Sequence, residues 1–318
     1  MDFSVIIPAK NEQGYLPACL DSLAQLDYPR ENYEVLVIDN GSTDNTVEIA
    51  GQYGAQVFIR PELTIAGLRN FGASHAQGRF LVFLDADCTV ASDWLTAASE
   101  WLDKVDVCCF GGPPEIPEQS TWVQKAWYCV RNKRHLVEEV EWLESMNMFV
   151  RKDVFAQVRG FDETLTTCED YDLSLRLQKH GRIVADKRIK VVHHGEAATL
   201  GHFYLKERWR AVSNIFGLIR HGLHLRELPS LLAPIVFLLC LVVTAVALVV
   251  SVVKSGAVSF WLVVAFLLLW QLPIFILAML KSRESISIWL RLELYLLLNT
   301  YFLARGMAMF QSITRKQG

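Results

Sequence analysis

The chain of 318 residues has no surplus of positive charge: 31 Lys and Arg stand against 34 Asp and Glu, a formal net charge of −3. That excludes the strongly basic surface through which nucleic-acid-binding proteins usually attract their partner, so no nucleic acid is expected. The seven cysteines, at positions 19, 88, 108, 109, 129, 168 and 240, are odd in number and include no C-x-x-C pair. They point to reduced thiols, with neither a disulfide framework nor a zinc site. The stretch Met1-Asp2-Phe3-Ser4-Val5-Ile6-Ile7-Pro8 lacks a basic leader and is too short an apolar run for a signal peptide, so the first domain is expected to stay in the cytosol. Internal repeats and low-complexity linkers are absent as well.

Apolar residues are plentiful, at 52% of the chain against the roughly 45–50% usual for soluble proteins. They are unevenly placed. Up to about His194 charge and apolar residues mix as in a globular domain, whereas from Leu231 onward long apolar runs carry almost no charge. Three regions follow: a globular domain over 1–198, a basic amphipathic segment over 199–228, and an anchor over 229–318. Segments 231–253 and 257–280 are each uncharged and long enough to cross a hydrocarbon core of roughly 30 Å. Lys254-Ser255-Gly256 makes them a hairpin, returning the chain to the side of Lys281 and Arg283.

A third apolar stretch, 286–310, holds Arg291, Glu293 and Arg305; it either packs on the hairpin with those charges paired or lies at the membrane interface. Lys206, Arg208, Arg210, Arg220 and Arg226, against Glu207 and Glu227, form a basic collar before the first span. By the positive-inside rule that collar places the domain on the cytoplasmic face of the cell (inner) membrane. Residues 203–219 read equally as an interfacial helix or as an ordinary amphipathic helix packed on the domain.

Within the first region, 4–8, 34–39, 56–60 and 80–85 are short runs rich in β-branched or aromatic residues, separated by helical spacing over 16–26 and 44–53. Strands alternating with helices predict an α/β fold with a mostly parallel sheet. The runs are continuously apolar instead of alternating, as when both faces of a sheet are covered. Further on, 146–151 and 190–193 read as strands, and 168–180 as a helix closed by a left-handed Gly181.

Ligands of such sheets bind beyond the carboxyl ends of the strands, which directs attention to the polar residues there. Asp85 and Asp87 follow the fourth strand two positions apart, a spacing that projects both carboxylates to one side of extended chain. Paired carboxylates can share a hard divalent cation, Mg²⁺ or Mn²⁺, whose remaining ligands are phosphate oxygens. The same dipeptide spacing also occurs in turns and helix caps.

The segments Val5-Ile6-Ile7-Pro8-Ala9-Lys10-Asn11-Glu12, Val37-Ile38-Asp39-Asn40-Gly41-Ser42-Thr43-Asp44, Ala66-Gly67-Leu68-Arg69-Asn70 and Phe83-Leu84-Asp85-Ala86-Asp87 occur in succession. Asn147-Met148-Phe149, Gly160-Phe161-Asp162-Glu163, Glu169-Asp170-Tyr171-Asp172 and Val191-Val192-His193-His194 follow. In content and order this series resembles the family 2 glycosyltransferases over about the first 195 residues. The resemblance implies a GT-A fold, a nucleotide-sugar donor such as a UDP-sugar, and a divalent cation. Residue by residue it implies that Pro8, Glu12 and Asp39 hold the nucleotide base, Arg69 faces the donor's phosphates, and Asp85 contacts ribose or metal. It further implies that Asp87 ligates metal with His193 or His194, His193 being favoured by the motif's alignment. Asp170 would be the base that deprotonates an acceptor hydroxyl, with a cap formed with Thr167 as the structural alternative.

Two departures from the family pattern stand out. Cys168 replaces the Gly that often precedes Glu-Asp, and Leu205 stands three residues before Arg208-Trp209, where polymer-making members carry Gln or Arg. The second favours transfer of single sugars. The expected function is thus inverting transfer to a lipid-linked or glycan acceptor in cell-surface glycan synthesis. A polyprenyl-phosphate sugar synthase and a catalytically silent membrane scaffold are its rivals.

Overall fold

The structure, a computed structural model, describes residues 1–131, 135–165, 167–221, 228–253, 257–282 and 287–315. The expected Lys254-Ser255-Gly256 link, and Arg226, Glu227 and Arg283 of the basic flanks, lie outside the described residues. Two compact units are present, Met1–Glu118 with Asn132–Glu196, and Gln119–Arg131 with Ala197–Gly318.

The first unit begins with β1 (Phe3–Ala9), α1 (Leu16–Ala24), β2 (Tyr33–Asp39), α2 (Thr46–Gln52), β3 (Gln56–Ile59) and α3 (Ile65–His75). There follow β4 (Phe80–Leu84), β5 (Cys88–Val90), α4 (Trp94–Ser99) and β6 (Val107–Gly111). After α5 (Trp122–Arg131), which belongs to the second unit, come β7 (Val137–Glu139), β8 (Asn147–Arg151), α6 (Lys152–Gln157), α7 (Glu169–Leu177), β9 (Arg182–Asp186) and β10 (Val191–His193).

Eight strands form one sheet in the order β3-β2-β1-β4-β8-β6-β9-β7, and β10 pairs with β5 in a small second sheet. The βα alternation makes β3, β2, β1 and β4 parallel, as expected. β8 then runs antiparallel to both β4 and β6, and β7 antiparallel to β9, so the sheet is mixed. Covering on both faces accounts for the unbroken apolar strands: Phe3, Val5 and Ile7 of β1 enter one core with Phe80, Val82 and Leu84, while Ile6 enters the other with Leu81 and Phe83.

A proline in a central strand is ordinarily excluded, because it removes a ladder donor. Pro8 is admitted because β1 pairs with β4 only as far as Ile6–Phe83, while β2 continues alongside to Ala9–Asp39. α3 lies directly on the sheet at Gly72, where a Cβ would come within 2.5 Å of Ile6.

α7 is shorter than the sequence predicts, and Gly181 does not close it in a left-handed conformation: among the described residues the glycines with positive φ are Gly41, Gly54 and Gly160. Gly181 serves close approach instead, since a Cβ there would meet the Asp106 carbonyl at 3.0 Å and Cys108 at 3.1 Å. At the other end of α7 it is Cys168, immediately before the helix, that is left-handed, at φ 65° and ψ 20°.

The second unit contains α5, α8 (Leu200–His221), α9 (Leu228–Val253), α10 (Ala257–Lys281) and α11 (Ile288–Arg315). α8 is packed along one face: Phe203, Glu207 and Ala211, four residues apart, are buried, and the Phe203 ring meets Trp127 of α5 edge-on at 5.1 Å. Glu207 accepts from Arg210 at 2.7 Å and from Arg305 of α11 at 3.2 Å, which pairs one of the three charges in the third apolar stretch. Leu205 and Trp209 are exposed on another face of the helix. Two described helices, Leu228–Val253 and Phe260–Lys281, are long and apolar enough to cross a membrane. Only 17% and 11% of their most apolar stretches are buried within the protein, unlike the core helix of a soluble domain.

Candidate active site

The loops that leave β1, β2 and β4 emerge at one edge of the sheet, with adjacent strands about 5 Å apart. The first two loops are joined by side chain to backbone bonds. The Asn11 amide donates to Ser42 Oγ at 2.8 Å, the Thr43 amide to Asn11 Oδ1 at 2.9 Å, and the Glu12 amide to Thr46 Oγ1 at 2.8 Å. Gly41, at φ 71°, makes the turn after β2, where a Cβ would press on Pro61. Asp39 ends β2 fully buried, its carboxylate accepting from the Ser42 amide at 2.8 Å and from the Ser42 hydroxyl. Turn-forming is therefore one of its tasks.

Asp85 and Asp87 follow β4, and the small second sheet sets what faces them. Its register places His193 opposite Cys88, directly after Asp87. His193 Nε2 lies 3.1 Å from Asp87 Oδ2, and its Nδ1 lies 3.2 Å from Glu196 Oε1. His194 is turned elsewhere: its ring meets Thr89 Oγ1 at 2.9 Å, while its backbone amide donates to the Asp87 carbonyl at 2.9 Å. Of the two histidines, His193 is thus the one whose ring reaches Asp87. Burial alone lowers its pKa, but the hydrogen bonds to Asp87 and Glu196 outweigh burial and raise it to about 9. Gly195 leaves room for this pair, because a Cβ there would collide with Asp87 Oδ2.

The donor set fits a divalent cation. One ligand atom each from Asp87, Cys88 and His193 lies within 4.8 Å of the others. Carboxylate and imidazole would be the working ligands, because burial holds Cys88 far above the usual thiol range and hence protonated. Glu196 behind His193 is the carboxylate that commonly fixes the tautomer of a ligating histidine. Burial pushes Glu12 up to about 7, aided by the negative fields of Asp87, Asp85 and Asp44, so Glu12 shares the acidic edge with both aspartates.

Arg69 lies between two carboxylates. α3 starts at Thr64, whose hydroxyl accepts from the Gly67 amide at 3.2 Å, and it carries Arg69 into the interior. There Nη2 donates to Asp85 at 2.9 Å and Nη1 to Glu169 at 2.7 Å. The guanidinium faces two carboxylates, because α7 brings Glu169 across to it. It joins the loop after β4 to the first turn of α7.

On that turn Asp170, half-buried, accepts from the Tyr171 amide at 2.8 Å. The cap position is Cys168, and no side chain caps the helix there, so the arrangement expected of Thr167 and Asp170 as a cap does not form. Burial, with the fields of Glu169 and Glu144, pushes Asp170 up to about 7. Arg176 is structural: it bonds Asp172 and the Val158 and Gly160 carbonyls, the latter two at 2.6 Å each. Asn70 clamps the neighbouring loop through the Phe161 carbonyl and amide, each at 2.9 Å.

Glu12, Asp85, Asp87 and His193 are therefore brought together, Arg69 ties Asp85 to the turn that carries Asp170, and Pro8 and Asp39 occupy the adjoining strand ends. Glu144, Glu169, Gly195 and Glu196 complete the site; Glu169 stands in the Glu169-Asp170 motif already noted, and the His-x-x-Glu spacing of 193 and 196 could have been noticed in the sequence. A cavity of about 560 Å³ near Asp106, Glu139 and Arg182 lies at the starts of β6 and β9, the opposite edge of the sheet.

The profile of glycosyl transferase family 2 matches residues 4–159. Glycosyltransferase AglE of Haloferax volcanii is 31% identical over 187 residues, covering 56% of this chain and 62% of AglE. Poly(ribitol-phosphate) beta-N-acetylglucosaminyltransferase TarS of Staphylococcus aureus is 34% identical over 110 residues, 33% of this chain and 19% of TarS. The chain thus spans less than two thirds of either relative. The GT-A fold is shared with the mannosyltransferase PcManGT of Pyrobaculum calidifontis, solved with GDP-Man and Mn²⁺, at a TM-score of 0.59 and 19% identity over 94% of this chain and 85% of that one. It is also shared with S. aureus TarS 1–349 in complex with UDP, at a TM-score of 0.51 and 23% identity over 70% and 67% of the two chains.

Proposed function

We propose, on the match of residues 4–159 to glycosyl transferase family 2, that the chain is a metal-dependent, inverting glycosyltransferase. Its donor is a nucleotide sugar, with UDP as the nucleotide, and its acceptor a hydroxyl of a lipid-linked glycan destined for the cell surface. The observation that carries this reading is the meeting of Glu12, Asp85, Asp87 and His193 at one sheet edge, tied through Arg69 and Glu169 to Asp170.

Catalysis is assigned to 1–198. Pro8, Glu12 and Asp39 border the nucleotide base, where a carboxylate accepts the imide hydrogen of uracil. Asp87 and His193 hold the divalent cation, and Asp85 contacts ribose or cation while Arg69 fixes its carboxylate. Bound there, Mg²⁺ or Mn²⁺ supplies positive charge for the departing diphosphate. Asp170 takes the proton of the acceptor hydroxyl, whose oxygen attacks the anomeric carbon from the face opposite the diphosphate. The bond to the diphosphate breaks as the new glycosidic bond forms, so one displacement inverts the centre. α9 and α10 anchor the chain as a multi-pass protein of the inner membrane, with the catalytic unit cytoplasmic.

Screening nucleotide sugars for metal-dependent diphosphate release with detergent-solubilised protein tests the proposal. Asp87→Ala should abolish release while the protein stays folded; near-normal turnover by the purified variant would show the metal assignment to be wrong.

A further inference from the structure

At 28 residues α11 is long enough to cross a bilayer, yet among the described helices only α9 and α10 are also apolar enough. Its path follows from what it touches. α9 and α10 are joined by a short link and so run antiparallel. Trp270 of α10 sets their register: its indole N–H donates to the Thr244 hydroxyl of α9 at 3.0 Å, and its ring meets Phe237 edge-on at 5.2 Å. Trp270 is thus level with about Cys240 of α9, and Gln271 and Phe275 with about Leu239 and Ile235.

α11 meets that one level along much of its length. The Tyr295 hydroxyl donates to Gln271 at 2.5 Å and its ring meets Phe275 at 6.0 Å, while the Gln271 amide donates to Asn299 at 2.9 Å. Further on, Phe302 stacks on Phe237 at 5.9 Å, and at Gly306 a Cβ would stand 2.8 Å from the Pro234 carbonyl oxygen. From Tyr295 to Gly306 the helix advances about 16 Å, at 1.5 Å per residue, while its partners stay within the same short stretch of the hairpin. α11 therefore crosses the hairpin instead of running along it, in the half nearer Leu228 and Lys281.

At about 100° per residue, Tyr295, Asn299, Phe302 and Gly306 face the hairpin together. Trp289, Leu292, Leu296 and Met307 lie roughly 60–120° to one side of that direction, and all four are exposed. On the other side Tyr301 meets Trp127 of α5 at 5.9 Å, and Arg305 donates to the buried Glu207 of α8 at 3.2 Å. One flank is apolar and uncovered; the other is packed and holds an ion pair. The apolar flank continues the uncovered apolar surface of α9 and α10, where Val243 and Leu268 are exposed. A helix so divided, set crosswise to two spans, suits the boundary between acyl chains and headgroups.

We propose that α11 is not a third span but lies in the plane of the membrane, on the side where α9 begins and α10 ends, with Trp289, Leu292, Leu296 and Met307 among the acyl chains of that leaflet. The proposal rests on the reading of α9 and α10 as spans, and it keeps Gly318 on the same side as Met1.

The test uses the full chain in sealed vesicles of phosphatidylcholine and phosphatidylglycerol. Leu292→Cys, Leu296→Cys and Met307→Cys, all at exposed positions, carry a nitroxide label, as does Val243→Cys in α9; native protein labelled in parallel supplies the background of its own thiols. Collisions with oxygen and with a water-soluble nickel chelate give each label's depth. The three α11 labels should agree to within about one helical turn, ~5 Å, and be shallower than Val243→Cys, whereas a spanning helix would separate 292 from 307 by about 22 Å. An epitope placed after Gly318 should show the same protease sensitivity as one placed before Met1. Depth that changes steadily along α11, labels reached by nickel as in water or by neither reagent as under a second protein, or epitopes on opposite sides overturn the proposal. A Val243→Cys label that sits in water overturns instead the anchor on which it rests.

Discussion

Replacing Gly195 by Ala perturbs the Asp87 carboxylate without touching any ionisable residue. Gly195 is not among the residues with positive φ, so alanine suits its backbone, and the added methyl group acts by volume alone. Its Cβ would overlap Asp87 Oδ2 and stand 3.2 Å from His193 Nε2. Asp87 is partly exposed and can rotate away, which limits the cost to folding to about 1 kcal/mol, the scale of an off-rotamer side chain or mild overpacking. The cost to the cation is larger, because Asp87 can no longer face His193. Misdirecting a ligand by a neighbouring residue lowers metal affinity about 10- to 100-fold, which is about 1.4–2.8 kcal/mol. Calorimetric titration of Mn²⁺ into the UDP-loaded protein measures this directly, with Gly201→Ala as the control, since a Cβ at Gly201 meets nothing within 4 Å. Native Mn²⁺ affinity in Gly195→Ala would show that the cation does not sit between Asp87 and His193.

The pH dependence of turnover should rise through about pH 7, where Asp170 loses its proton, and Asp170→Asn should remove this limb and lower kcat by about 10²–10⁴. Because folding raises the Asp170 pKa from its usual value near 4, its contribution to stability is full below about pH 4 and lost as pH climbs through about 7; thermal unfolding of Asp170→Asn should therefore gain on the native protein at neutral pH. Arg69→Met leaves Glu169 buried without a counter-charge and should cost about 3 kcal/mol in denaturant unfolding, the low end of the range because Asp85 is partly solvated; adding Glu169→Gln should recover part of it. Cys168→Gly removes a side chain from a left-handed position and should stabilise by up to about 1 kcal/mol, read as a raised Tm.

Much of the sheet was legible because β1, β2, β3 and β4 are runs of β-branched and aromatic residues between helical segments. β6 and β9 were not, since Val107-Cys108-Cys109-Phe110-Gly111 and Arg182-Ile183-Val184-Ala185-Asp186 are short and lack a clear period. β5, at three residues, is below the length at which alternation means anything. The antiparallel insertion of β8 between β4 and β6 is decided by long-range pairing that local pattern does not encode. In the site, residues standing just past strand ends could be singled out by position, whereas the partners of Arg69 could not, since they lie 16 and 100 residues away in sequence. Glu196 and Glu144 have the same origin: each matters through a side chain that the fold alone brings near.

The distribution of charge gives the cation its place in the proposal. Burial, and then the fields of Asp87 and Asp85, make Glu12 costly to ionise, so that it holds its proton to about pH 7. Arg69 cannot neutralise them alone, since half of its bonding goes to Glu169. His193 answers in the other way, keeping its proton to about pH 9 between Asp87 and Glu196. A proton held between carboxylates occupies the place where a divalent ion would do better, because two charges offset the acidic edge more fully than one. Binding the ion should therefore release the His193 proton, and the diphosphate of the donor would enter a site whose repulsion has been removed. On this argument cation and donor bind cooperatively, each weakly alone, with the coupling set by carboxylates that the β4 loop and the small second sheet hold face to face.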